Sequence, residues 1–177
     1  MIAGFVKNEN GVLESYKMEV KDFYCKVNIN LNQTERDELY QIAQNIVYEE
    51  YLIEKDHTPD NNYITQAESL PSWFKEKTKE FLKIGWPMFL KNKGDVPWHT
   101  DDKRKSSITF QLNASETPTI FRNEVGELEL LHHNLGAYLQ NNEQEHSVPK
   151  ADKDRYFLQI SFDKPYIEIK KMLKHDI

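Results

Sequence analysis

The sequence predicts a mainly β chain of the α+β class, a jelly roll with N-terminal helices packed on one of its sheets. Two patterns carry this expectation. From Gly85 onward, short apolar runs are punctuated by turn residues, as in a compact antiparallel β fold. Before Gly85, two stretches carry apolar residues at helical spacing. A chain of 177 residues with 38% hydrophobic composition suits one domain with a real core. Residues 1–84 would supply strands and supporting helices, and residues 85–166 the jelly-roll core. A domain of this size buries about 70% of the surface its unfolded chain exposes.

From Val12 to Leu31 the apolar residues favour short strands, and alternation is clean at Cys25, Val27, Ile29 and Leu31. Asn32 with Glu35, or Thr34 with Asp37, then makes a capping signal. It precedes Leu39, Ile42, Ala43, Ile46 and Val47, whose spacing predicts an amphipathic helix on a sheet. The polar stretch 56–62, with His57, Pro59 and Asp60, reads as a loop. A second helix is expected near Pro71, with Trp73, Phe74, Thr78, Phe81 and Leu82 on one side. Strand-like runs follow at 86–90, 108–112, 119–121, 128–131, 137–139, 146–148 and 156–162. On the last of these, Tyr156, Leu158, Ile160 and Phe162 share one face, suited to covering by helices. Arg155, Phe157, Gln159 and Ser161 share the other, suited to lining a pocket. The Lys-rich tail 167–177 has a weak helical pattern and no assigned function.

Candidate chemistry concentrates between Trp98 and Ser161. In an extended strand, residues two apart point to the same face, so His99 and Asp101 would present an imidazole and a carboxylate side by side. His146 on a neighbouring strand would complete a set of two His and one carboxylate, the facial triad of non-haem Fe(II) oxygenases. Such a set leaves three adjacent coordination positions open on the ion. Residues 149–153 separate two apolar runs and read as a hairpin loop, which would set His146 opposite Arg155. An arginine there offers a fixed fork of donors to a carboxylate beside the metal.

These residues resemble the metal and cosubstrate core of the Fe(II)/2-oxoglutarate-dependent oxygenases, particularly the prolyl-hydroxylase-like branch. The likeness rests on His99-x-Asp101, on His146 followed by Val148, on Arg155-Tyr156, and on the strand Ile108 to Asn113, and it covers the C-terminal half. Two positions depart: Gln111 stands where many relatives have tyrosine, and Phe157 where they have Ser or Thr. The resemblance implies a double-stranded β-helix that binds Fe(II), 2-oxoglutarate and O2, with His99, Asp101 and His146 as catalytic metal ligands. It implies Arg155 on the distal carboxylate of 2-oxoglutarate, with Gln111 as a second contact. The implied activity is that of a dioxygenase, a hydroxylase of an unidentified organic substrate, either a peptidyl-prolyl group or a small molecule. Oxidative decarboxylation to succinate and CO2 would accompany attack on a C–H bond. A cupin-like metal enzyme independent of 2-oxoglutarate, and a non-catalytic β-barrel binding module, are the alternatives.

Charge and cysteine usage narrow the context. A net charge of −6 and a pI near 5.6 argue against a general nucleic-acid binder, which needs clustered Lys and Arg. The lone Cys25 excludes an internal disulfide, and no signal segment or long apolar run is present, so a cytoplasmic chain without membrane contact is expected. His132 and His133, adjacent on a strand, compete for the third ligand position but are read as structural or surface residues. His57 and His175 lie outside the β-rich stretch and are read as exposed. Trp98 is read as core packing, with a pocket wall as the alternative, and Arg104 and Arg122 as surface charges, with receipt of an anionic substrate as the alternative.

Overall fold

The computed structural model describes residues 3–7, 13–17, 23–50, 62–66, 70–93, 95–123, 126–130 and 136–173. His57, His132, His133 and His175 lie outside them, and so does most of the loop expected at 56–62. The strands are β1 (Ala3–Lys7), β2 (Leu13–Lys17), β3 (Tyr24–Val27), β4 (Glu49–Glu50), β5 (Asn62–Gln66), β6 (Trp86–Asn92) and β7 (Val96–His99). They continue as β8 (Ser106–Gln111), β9 (Thr119–Asn123), β10 (Gly126–Leu130), β11 (Ala137–Asn141), β12 (Glu145–Val148) and β13 (Arg155–Phe162). The helices are α1 (Gln33–Asn45), α2 (Ser72–Lys77), α3 (Lys79–Leu82) and α4 (Tyr166–Met172).

The strands form a jelly roll of two facing antiparallel sheets. One has seven strands in the order β3-β11-β8-β13-β6-β5-β4, the other four in the order β10-β9-β12-β7, and β1 with β2 forms a separate hairpin. Facing residues of antiparallel neighbours share a side of the sheet. In the large sheet one side therefore carries Ile108, Phe110, Leu139, Leu158 and Ile160, all fully buried in the main core cluster. Leu39 and Ala43 of α1, Phe74 of α2, Phe81 of α3 and Ile169 of α4 pack into that same cluster. The expected apolar face and its helical cover are both present. The opposite side is polar: Gln159 faces Thr109, Ser161 faces Ser107, and Arg155 faces Asn92. All six are buried, so this is an interior wall rather than a solvated face.

Helix α1 begins as the capping signal requires. Asn32 Oδ1 accepts the Glu35 N–H at 2.9 Å while Glu35 Oε2 accepts the Asn32 N–H at 2.9 Å. The helix ends at Asn45, so Val47, expected on its apolar face, is instead 87% exposed. The second expected helix is two short ones meeting at Thr78, whose hydroxyl donates to the Phe74 carbonyl at 2.7 Å and diverts the chain there. β1, β4 and β5 form where no strand is expected. The strand expected through Leu31 stops at Val27.

The hairpin expected across residues 149–153 does not form. β12 pairs with β7 and β9 in the small sheet, whereas β13 pairs with β6 and β8 in the large one. Residues 149–154 cross between sheets, held partway by the Ala151 N–H on the Lys93 carbonyl at 2.8 Å. A loop of turn residues between two apolar runs fits a tight hairpin and a crossover equally well, because only long-range pairing partners distinguish them. Arg155 thus faces Asn92, and His146 faces His99.

Candidate metal and anion site

His99 ends β7, and His146 lies directly opposite it on β12. The two ring centroids are 4.2 Å apart. Phe121 of β9, fully buried and opposite His146 on its other side, stacks on the His146 ring at 5.7 Å and limits its rotation. Asp101 falls just past the strand end, in a loop, so strand alternation is not what presents it. The Asp101 N–H donates to the Asn142 carbonyl at 3.0 Å and brings the carboxylate back toward the imidazoles. Asp101 Oδ1 lies 3.8 Å from His99 Nε2, and Oδ2 lies 3.8 Å from His146 Nε2.

The donor set fits a divalent ion. Nδ1 of His99 sits 2.8 Å from the Pro97 carbonyl and Nδ1 of His146 sits 2.9 Å from the Gln144 carbonyl. A carbonyl only accepts, so each neutral ring carries its proton on Nδ1 and keeps the Nε2 lone pair for a ligand. Burial, followed by electrostatic interaction with the neighbouring His99, pushes His146 down to about 4, so its ring is neutral near pH 7. One ligand atom from each of the three residues lies within 4.8 Å of the others. Ligands about 2.1 Å from a shared ion stand about 3.0 Å apart at right angles and at most about 4.2 Å apart, so small adjustments of the side chains suffice. An open cleft of about 680 Å³ adjoins His99, bounded also by Thr100, Asp102, Glu143 and Gln144.

Arg155 sits on the polar interior wall, 1% exposed. Nη1 donates to the Thr117 carbonyl at 3.2 Å, Nη2 donates to Asn92 Oδ1, and Nε has no hydrogen-bond partner. No carboxylate among the described residues pairs with it. Desolvation alone lowers its guanidinium to about 10, which leaves it a cation near neutral pH. Gln111, 2% exposed, shares this wall, facing Phe157 across the ladder, and its Nε2 donates to the Asn113 carbonyl at 2.6 Å.

Arg104, expected as a surface charge, instead turns toward Asp101. Its side chain is 16% exposed, and Nε and Nη2 reach Asp101 Oδ2 at 2.9 and 2.7 Å. The spacing Asp101-x-x-Arg104, within reach across one turn of loop, was the available signal. Arg122 does lie at the surface, paired with Glu145. Its guanidinium covers Trp98 at 4.1 Å, so Trp98 packs against Arg122 rather than into the main core. Among the described residues no helix is long and apolar enough to cross a membrane.

The architecture is similar to that of several solved structures. A Trichoplax adhaerens prolyl hydroxylase, in complex with a peptide fragment of the hypoxia inducible factor oxygen degradation domain, superposes with a TM-score of 0.63 at 14% identity. The likeness covers 84% of this chain and 87% of that one. The fold is that of the 2-oxoglutarate and Fe(II) oxygenases. A prolyl-4-hydroxylase from Pseudomonas putida matches with a TM-score of 0.65 at 12% identity, over 81% of this chain and 94% of that one. A 2-oxoglutarate-Fe(II) oxygenase family oxidoreductase from Burkholderia pseudomallei gives 0.61 at 9%, over 80% and 85%. No family model matches the sequence. No curated protein matches it either.

Proposed function

We propose that the chain is an Fe(II)- and 2-oxoglutarate-dependent dioxygenase that hydroxylates an organic substrate. The observation that carries this reading is the convergence of His99, Asp101 and His146 with both Nε2 atoms free for a ligand. These three would hold the iron. A bound Fe(II) would supply activation of O2, coupling decarboxylation of 2-oxoglutarate to succinate and CO2 with oxidation of a substrate C–H bond.

The protein's own residues then bind, orient and shield. Arg155 is a buried cation with no anion beside it among the described residues, and burying a charge is costly unless a counter-charge arrives. The distal carboxylate of 2-oxoglutarate is that counter-charge, and Gln111 on the same wall is its second contact. The two ends of the cosubstrate would be gripped by different sheets, the metal end by β7 and β12 and the far end by β13. Gripping both ends fixes its orientation before O2 binds. The fold is shared with prolyl hydroxylases, one of them holding a peptide, so peptidyl-prolyl groups are the first substrates to test. Small molecules come second.

Anaerobic titration with Fe(II) and 2-oxoglutarate should produce a visible metal-to-ligand charge-transfer band at one iron per chain. His99→Ala and His146→Ala should abolish it. Unchanged metal binding by both variants would end this reading, and iron binding that never responds to 2-oxoglutarate would favour a metal enzyme of another kind.

A further inference from the structure

Asp101 lies beyond the end of β7, so no ladder hydrogen bond orients its side chain. Its two oxygens have unlike surroundings. Oδ2 accepts from Arg104 Nε at 2.9 Å, from Arg104 Nη2 at 2.7 Å and from Asn142 Nδ2 at 2.9 Å. Oδ1 accepts no hydrogen bond from the described residues and faces His99 Nε2 at 3.8 Å. Distance to the imidazoles does not choose between them, since Oδ2 is equally far from His146 Nε2. The donors do: a carboxylate oxygen has about two lone-pair sites, and three N–H groups saturate Oδ2. Resting on the metal reading above, we propose that Arg104, helped by Asn142, is a positioning residue that commits Asp101 to bind the ion through Oδ1 alone.

Both clamps are themselves fixed. Arg104 Nη1 donates to Gln159 Oε1 at 2.9 Å, and Gln159 Nε2 donates to Thr109 Oγ1 at 2.9 Å, so the guanidinium is braced on the polar wall of the large sheet. Asn142 donates its backbone N–H to the Lys105 carbonyl at 3.0 Å and accepts the Ser107 hydroxyl on Oδ1 at 3.3 Å. The loop carrying Asp101 is thus tied to the large sheet. The denticity has a chemical consequence. Two imidazoles and a one-oxygen carboxylate leave three of six positions, enough for a two-point 2-oxo acid and O2. A two-oxygen carboxylate would leave two, and one reactant would be shut out.

The test uses Zn(II) alone and protein labelled with ¹³C at the aspartate carboxyls. Difference infrared spectra, zinc-loaded minus zinc-free, report the separation of the antisymmetric and symmetric carboxylate stretches, wide for one-oxygen and narrow for two-oxygen binding. The parent should show the wide pattern. Arg104→Met should show the narrow one, with zinc affinity about tenfold or more weaker, the usual cost of losing a partner of a metal ligand. Arg104→Lys, which keeps the charge but replaces the fork with a point contact, should fall between them. The infrared pattern decides: a folded Arg104→Met that keeps the wide separation makes Arg104 a structural ion pair and overturns the proposal. If Arg104→Met does not fold, Arg104→Lys and Asn142→Ala carry the same comparison, and the wide separation in both overturns it. A parent that binds no zinc defeats the metal reading itself, a result seen before any variant is made.

Discussion

A guanidinium that is 1% exposed, and that among the described residues meets a backbone carbonyl, an amide oxygen and the Phe157 ring but no carboxylate, is an unusual thing for a fold to keep. If Arg155 serves a carboxylate ligand, Arg155→Ala should leave that carboxylate buried without a counter-charge, at about 3 to 5 kcal/mol. Cosubstrate binding should then weaken by more than about a hundredfold, while Fe(II) affinity stays nearly unchanged. Gln111→Ala should move the 2-oxoglutarate requirement in the same direction by less, because a neutral amide contributes less than a fixed cation. Succinate formation against 2-oxoglutarate concentration, with metal affinity measured separately, checks both. Unaltered cosubstrate dependence in a folded Arg155→Ala protein would return the arginine to a structural role.

At the scale of elements, the join between α3 and β6 leaves no room for a side chain. Gly85 precedes β6, and a Cβ there would stand 2.6 Å from the Ser161 carbonyl oxygen and 2.6 Å from the Phe162 ring. The carbonyl belongs to β13 and cannot turn away without disturbing its pairing with β6 and β8. Gly85→Ala should therefore cost about 1 to 3 kcal/mol as overpacking, seen as a lower urea midpoint at an unchanged slope. The glycine therefore serves as the place where the chain, leaving the turn after α3, passes close to β13.

Over the whole molecule, the site couples to stability through His146, which lies buried where the two sheets face each other. Its folded value near 4 is below the ordinary value of about 6.5, so the unfolded chain binds more protons between those limits. In metal-free protein this contribution is fully present above about pH 6.5 and is lost as pH falls toward 4. Carboxylates lose stability in acid as well, so the comparison is with His146→Gln, in which the histidine contribution is gone. Urea midpoints from pH 7 to pH 4 should fall more steeply for the parent than for the variant. Parallel curves would mean that the imidazole is not held neutral by its surroundings.

Period and capping are local, and the sequence displays them locally. Tyr156, Leu158, Ile160 and Phe162 could be separated from Arg155, Phe157, Gln159 and Ser161 because alternation along one strand needs no partner. The start of α1 could be placed because Asn32 and Glu35 satisfy each other's backbone within one turn. The residue types at 99, 101 and 146 suggested a metal for the same reason, since their chemistry is intrinsic. The tertiary structure alone decided the pairing: His146 meets His99 in one sheet while Arg155 meets Asn92 in the other, because loop 149–154 crosses over instead of turning back. It alone decided that Arg104 points inward, through contacts with Asp101 and with Gln159, which lies 55 residues away in the sequence. Register and burial are sums over distant partners, and no window of sequence contains them.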